Sequence, residues 1–156
     1  MKSTFTIVLM IFSLNAFSQS MDTVGRGAVI GVIENFFLAM EKKDTSLYSS
    51  IVRPDGQIWT VRRLNDTLKT SMRNFSADKV GLVKMNAVIE ERPLSYEVTV
   101  HNDIAVAWVP YTLSLSGKFS HCGVDVFTLL KTIHGWQIVN LTYSLEPDAC
   151  NSLKKR

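Results

Sequence analysis

The stretch from Ile104 to Leu145 constrains this chain more than any other. Three strand-like segments lie there end to end: Ile104 to Leu115, Phe119 to Lys131 and Trp136 to Leu145. Only Ser116-Gly117-Lys118 and Thr132-Ile133-His134-Gly135 separate them. Connections that short join antiparallel neighbours, because a parallel return needs a crossover of about a dozen residues or more. The result is a meander of long strands whose apolar face needs a cover. Upstream, residues 26 to 43 set Val29, Ile33, Phe36, Phe37 and Met40 on one helical stripe, which can supply it.

Between these two regions the pattern is mixed. Asp44 is an N-cap for a short second helix that buries Leu47, Tyr48, Ile51 and Val52. Pro54-Asp55-Gly56 reads as a turn, and Gln57 to Arg63 as a strand with Trp59 and Val61 on one face and Ile58 and Thr60 on the other. Asp66 caps a third helix striped by Leu68, Met72 and Phe75. Everything after Gly81 reads as β: Val83 to Glu91, a break at Pro93, Ser95 to Val100, and a turn at His101-Asn102-Asp103. Helices first and strands after give an α+β fold. The expected form is a cone-shaped barrel, with N-terminal helices packed on a curved antiparallel sheet. At 156 residues and 46% hydrophobic, the chain holds one domain with a real core. A net charge of +3 is too small to point to nucleic acid or to an anionic membrane surface.

The first 18 residues read as a signal peptide. Lys2 is the positive start, Phe5 to Leu14 the apolar run, and Ala16-Phe17-Ser18 the small-residue cleavage site. That run is half the roughly twenty residues needed to span a bilayer, so no stable membrane insertion is expected. The domain then occupies residues 19–145 and a polar tail residues 146–156. Export, to the periplasm or the outside, makes a disulfide between Cys122 and Cys150 the expected state of the cysteine pair.

Pairing Lys131 with Trp136 in the last hairpin sorts its side chains. One face receives His121, Asp125, Phe127 and Leu129, with Ile138, Asn140 and Thr142 across from them. The other receives Val124, Val126, Thr128, Leu130, Val139, Leu141 and Tyr143. The first suits a greasy pocket with a few polar groups. The second, if outward, suits a homodimer through the sheet. A slip of one residue exchanges the two. Cys122 then faces Leu145, close enough for the tail to bring Cys150 back to it.

The element order resembles the nuclear transport factor 2-like superfamily, which includes SnoaL-like domains. The residues that carry the resemblance are Val32 to Met40, Asp44 and Pro54-Asp55-Gly56, then His121 to Phe127 and Gly135 to Thr142. The last two resemble an exported bacterial branch that bears a lumazine-binding label. The resemblance implies either a binding or accessory domain or an enzyme of the cyclase, isomerase or dehydratase type. The ketosteroid isomerase pattern is broken, since Phe36 stands where it has its tyrosine and Thr60 near where it has its aspartate.

The candidates for ligand contact are Asp125, His121, Tyr111, Trp59, Trp108, Phe127 and Asn140. His101 and His134 sit in turns and read as solvated. No carboxylate joins the histidines at ligand spacing and no Cys-x-x-Cys is present, so neither metal nor cofactor is expected. No complete catalytic set emerges. The expected function is an exported small-molecule-binding or accessory domain. One alternative is an enzyme using Asp125 with His121 or Tyr111, and a second is a structural dimerisation module. An empty cone favours the first two, a filled one the third.

Overall fold

The computed structural model describes residues 11–64, 67–148 and 150–153. Lys2, most of the apolar run, Asp66 and the end of the tail lie outside them.

The first helix, α1 (Ile11–Lys42), is longer than its expected 26–43. It buries Val29, Ile33, Phe36 and Ala39 on one stripe. Asp44 then caps α2 (Thr45–Ile51), its carboxylate accepting from the backbone N–H groups of Ser46 and Leu47. Phe36 is the centre of the aromatic core, with ring centroids 5.5 Å from Tyr48, 6.3 Å from Phe75 and 5.7 Å from Phe127. Each such ring removed from water stabilises the fold by roughly 1.5–3 kcal/mol.

Strand β1 (Val52–Leu64) runs straight through Pro54-Asp55-Gly56, which is not a turn. These residues form a bulge instead. Val52 pairs with Ile138 and Gln57 with Asn140, so the stretch between them is three residues longer on β1. The expected third helix at Asp66 is a strand, β2 (Thr67–Asn74), antiparallel to β1. The helix begins later, at α3 (Phe75–Lys84), capped by Asn74. The β-region therefore starts at β3 (Ile89–Pro93), not at Val83.

The remaining strands fall where the alternation places them: β4 (Glu97–His101), β5 (Ile104–Leu115), β6 (Lys118–Thr132) and β7 (Gly135–Leu145). The tail carries a short helix, α4 (Cys150–Leu153). The sheet order is β2-β1-β7-β6-β5-β3, with β4 also on β5. This is the expected α+β cone with two corrections. The sheet is mixed, because β1 and β7 are parallel. It is also not closed into a barrel, since β2 and β3 end the path unpaired with each other.

The disulfide Cys122–Cys150 is present, with Cα atoms 5.4 Å apart, and ties α4 to β6. Replacing both cysteines by serine should lower the unfolding free energy by about 3 kcal/mol on the chain-entropy account. Urea denaturation reads this directly, and a loss under about 1 kcal/mol would show that the bridge constrains little.

Candidate functional site

A cavity of about 430 Å³ lies between the concave face of the sheet and helices α1 and α3. Its apolar wall includes Phe36, Met40, Leu82, Ile89, Leu113 and Leu141. The cone is thus hollow, while Phe127 and Leu129 are fully buried in the core.

Set into this wall are two acids. Asp125 is the one buried charged residue among the described positions, 2% exposed, and its Oδ2 receives no hydrogen bond. Glu91, on β3, enters the same cavity. In the sheet register Glu91 lies beside Leu113, whose other neighbour is His121, two pleats from Asp125 on β6. The two carboxyl groups are near enough to interact directly. Burial pushes Asp125 well above the usual carboxylate range, and the charge of Glu91 pushes it further. Burial raises Glu91 as well, to about 7, while the hydrogen bond from Asp125 opposes the rise. The pair therefore holds a proton that a lone exposed carboxyl group would release.

A second polar group lies beside the pair. Tyr111 Oη donates to the Ser144 carbonyl at 2.8 Å and lies 3.1 Å from His121 Nε2. Its proton being committed to Ser144, Tyr111 accepts from His121, so Nε2 carries hydrogen. Nδ1 then accepts from Ser120 Oγ at 2.9 Å. Burial, then the Arg62 charge, hold the His121 pKa below its usual value and favour this neutral form. Gly123 makes the reach of Tyr111 possible. A Cβ there would lie 2.8 Å from Tyr111 Oη and 2.0 Å from the Ser144 carbonyl oxygen. The β6–β7 ladder opens at this point, and Ser144 Oγ accepts from the Val124 N–H instead. Tyr111→Phe should cost about 1–3 kcal/mol by leaving the Ser144 carbonyl without its donor, read from the thermal midpoint. An unchanged midpoint would show that water replaces the hydroxyl.

Across the cavity, Arg73 donates to Asp78 through Nε at 2.5 Å, and Tyr48 donates to the other oxygen at 2.6 Å. The outer nitrogens of Arg73 make only long contacts, 3.4 Å, with Thr60 Oγ1 and Tyr143 Oη.

Of the seven residues singled out from the sequence, Asp125, His121 and Tyr111 meet in the cavity. Phe127 shares their face but is packed between Phe36 and Phe37 in the core. Asn140 does not join them. A bulge between Thr128 and Leu129 shifts the hairpin by one residue, pairing Thr128 with Asn140 and Val126 with Thr142. Asn140 and Thr142 thus exchange faces with Leu141 and Tyr143, and Thr142 bonds Asn140 rather than Asp125. The same shift sets Cys122 opposite Glu146 instead of Leu145. Trp59 and Trp108 are half-exposed and line no part of the cavity. Glu91, Arg73 and Asp78 escaped the sequence reading. For Glu91 one signal existed: it lies two residues beyond Ile89, on the same face of a strand.

Among the described residues, no three His, Cys, Asp or Glu side chains form a metal-ligand set, and no helix is long and apolar enough to cross a membrane. No protein-family model and no curated protein matches the chain. Solved structures do. A nuclear transport factor 2-like superfamily protein from Salmonella enterica is similar at 15% identity and a TM-score of 0.64, covering 80% of this chain and 92% of that one. A protein of the same class from Cytophaga hutchinsonii gives 9% identity and a TM-score of 0.65, covering 77% and 97%. One from Streptomyces avermitilis, described as a candidate dehydratase of that family, gives 16% and 0.60, covering 79% and 96%. At these identities the likeness is one of fold: the chain has the nuclear transport factor 2-like cone.

Proposed function

We propose that a chain with this fold works as an exported small-molecule-binding or accessory domain, its ligand held in the cavity between α1, α3 and the sheet. The observation that carries this is a hollow of about 430 Å³, mostly apolar, with a buried acid whose Oδ2 has no donor. Sites for small organic molecules have this make-up: a greasy enclosure and a few converging polar groups. Native mass spectrometry of the gently purified protein tests it. A bound molecule is expected in the natural chain and absent from Gly81→Phe. Gly81 borders the cavity, and a Cβ there meets nothing within 4 Å, so the ring can enter without breaking the fold. An empty natural protein that no member of a fragment library stabilises would overturn the reading.

A second reading, an enzyme of the cyclase, isomerase or dehydratase type, draws on the acid pair. A base with a pKa near neutrality beside a protonated acid suits proton transfer. Glu91 would then be the base and Asp125 the acid, in place of the pairing of Asp125 with His121 or Tyr111 expected from the sequence. A Glu91→Gln variant that keeps ligand affinity but loses turnover would favour this reading.

The same proposal includes a homodimer through the outer face of the sheet, where Trp59, Met72, Val106 and Trp108 are exposed or half-exposed. Trp108→Glu should shift the protein to monomer in sedimentation. Export, and kinship with the lumazine-binding branch, belong to it too. Secreted protein beginning at Gln19 would support cleavage after Ser18.

A further inference from the structure

The end of the cavity that holds Glu91 and Asp125 is short of donors, and that local imbalance points to a ligand class. Tyr111 gives its proton to Ser144, and His121 Nε2–H is turned toward Tyr111. Tyr48 gives its proton to Asp78, and Arg73 spends its Nε–H there as well. The single proton between Glu91 and Asp125 is used within the pair. The outer nitrogens of Arg73, held loosely at 3.4 Å, and the Tyr143 hydroxyl are donors on the Arg73 side of the cavity. Beside the acids what is left over is acceptor capacity, foremost Oδ2 of Asp125, 2% exposed in its residue and without a donor. An incoming molecule must bring donors.

Charge points the same way. The groups facing the pair are Tyr111 from β5, His121 from β6, Tyr143 from β7, and the Arg73–Asp78 ion pair from β2 and α3. From α1 come only Phe36 and Met40, Glu41 being engaged with Lys42 and Arg92. Arg73 is balanced by Asp78, and His121 is neutral. No cation is left over to offset a second carboxylate at Glu91–Asp125.

We infer that Glu91 and Asp125, set together into the apolar wall of the cavity with Asp125 Oδ2 unpartnered, form the recognition point for a protonated amine carried on an apolar body. An ammonium group offers three donors and no acceptor, which matches the surplus. Binding expels one proton: the O–H bond held by the acid pair breaks, the proton leaves to solvent, and both carboxylates accept from nitrogen. This rests on the cavity being a small-molecule site, as proposed above.

Three rigid probes of one shape separate the possibilities: 1-adamantylamine, 1-adamantanol and 1-adamantanecarboxylate. Titration calorimetry on the natural protein at about pH 8 should show the amine binding about tenfold or more tighter than the alcohol, and the carboxylate weakest. Affinity for the amine should rise with pH through about 7 while that for the alcohol stays flat. Paired buffers of different ionisation heat should report about one proton released per amine bound. Glu91→Gln should bring the amine down to the level of the alcohol and remove the proton release, with Asp125→Asn as the second variant. If the alcohol binds as tightly as the amine, the inference fails and the pocket reading stands. If none of the three binds, both fail.

Discussion

Gly123→Ala is expected to abolish the native fold. The new Cβ would sit 2.0 Å from the Ser144 carbonyl oxygen, a backbone atom held between strands, and 2.8 Å from Tyr111 Oη. Neither can retreat alone, because Tyr111 is bonded to that same carbonyl. The two central strands β6 and β7 would have to part where they already lack ladder bonds. A loss beyond about 4 kcal/mol is expected, the range reserved for core overpacking and broken polar networks. Gly81→Ala is the control, since its Cβ meets no atom within 4 Å and a helical glycine replaced by alanine gains about 0.5–1 kcal/mol. Soluble yield and circular dichroism report both. A folded Gly123→Ala protein with a normal thermal midpoint would show that the strands separate easily there.

The acid pair should make stability fall as pH rises across the mildly acidic range. Glu91 titrates at about 7 when folded and near its ordinary 4.5 when unfolded. Between those values the folded chain holds more protons than the unfolded one, so raising pH favours unfolding. Stability from this source is complete below about pH 4.5 and is lost as pH passes 7. The loss is on the order of 3 kcal/mol for Glu91, and Asp125 adds to it in the same direction. Glu91→Gln should flatten the slope and leave the variant more stable than the natural protein at about pH 8. Glu41, held down to about 2 by its hydrogen bonds with Lys42 and Arg92, acts in the opposite sense. Its contribution is lost as pH falls below the usual carboxylate range, so the two windows do not overlap. Denaturation midpoints taken across pH test this, and a natural protein with no slope between 5 and 7 would show the pair to be solvated.

What the sequence disclosed follows from the range of each interaction. Strands β5 to β7 were legible because alternation and tight turns are local. So was α2, whose cap lies next to it. Leu68, Met72 and Phe75 misled because a spacing of four fits a helical face and a strand face equally. The structure resolves it with Leu68 and Met72 on the outer side of β2, exposed. Pro54-Asp55-Gly56 signalled an irregular backbone correctly but not its kind: a bulge also requires such residues. The parallel pairing of β1 with β7 has no local signature, being about eighty residues apart in sequence. The site suffered from the same limit. Asp125, His121 and Tyr111 lie on adjacent hairpin strands and were found. Glu91 reaches them only through the β3–β5 pairing across the β4 excursion. One extra residue at Val139 was enough to send Asn140 to the other side.

The parallel β1–β7 contact also dictates an order of events when the chain is made. During synthesis β1 emerges early, carrying β2 along one edge, but the neighbour for its other edge is the last strand of all. Until Gly135–Leu145 appears, that edge is open and the apolar stripe of α1 has only part of the sheet beneath it. Assembly therefore waits for the C-terminal hairpin, and the long loop it closes places this chain among slower-folding topologies. A product that stops short of β7 is missing the middle of the sheet, not its margin, and would expose both halves to aggregation.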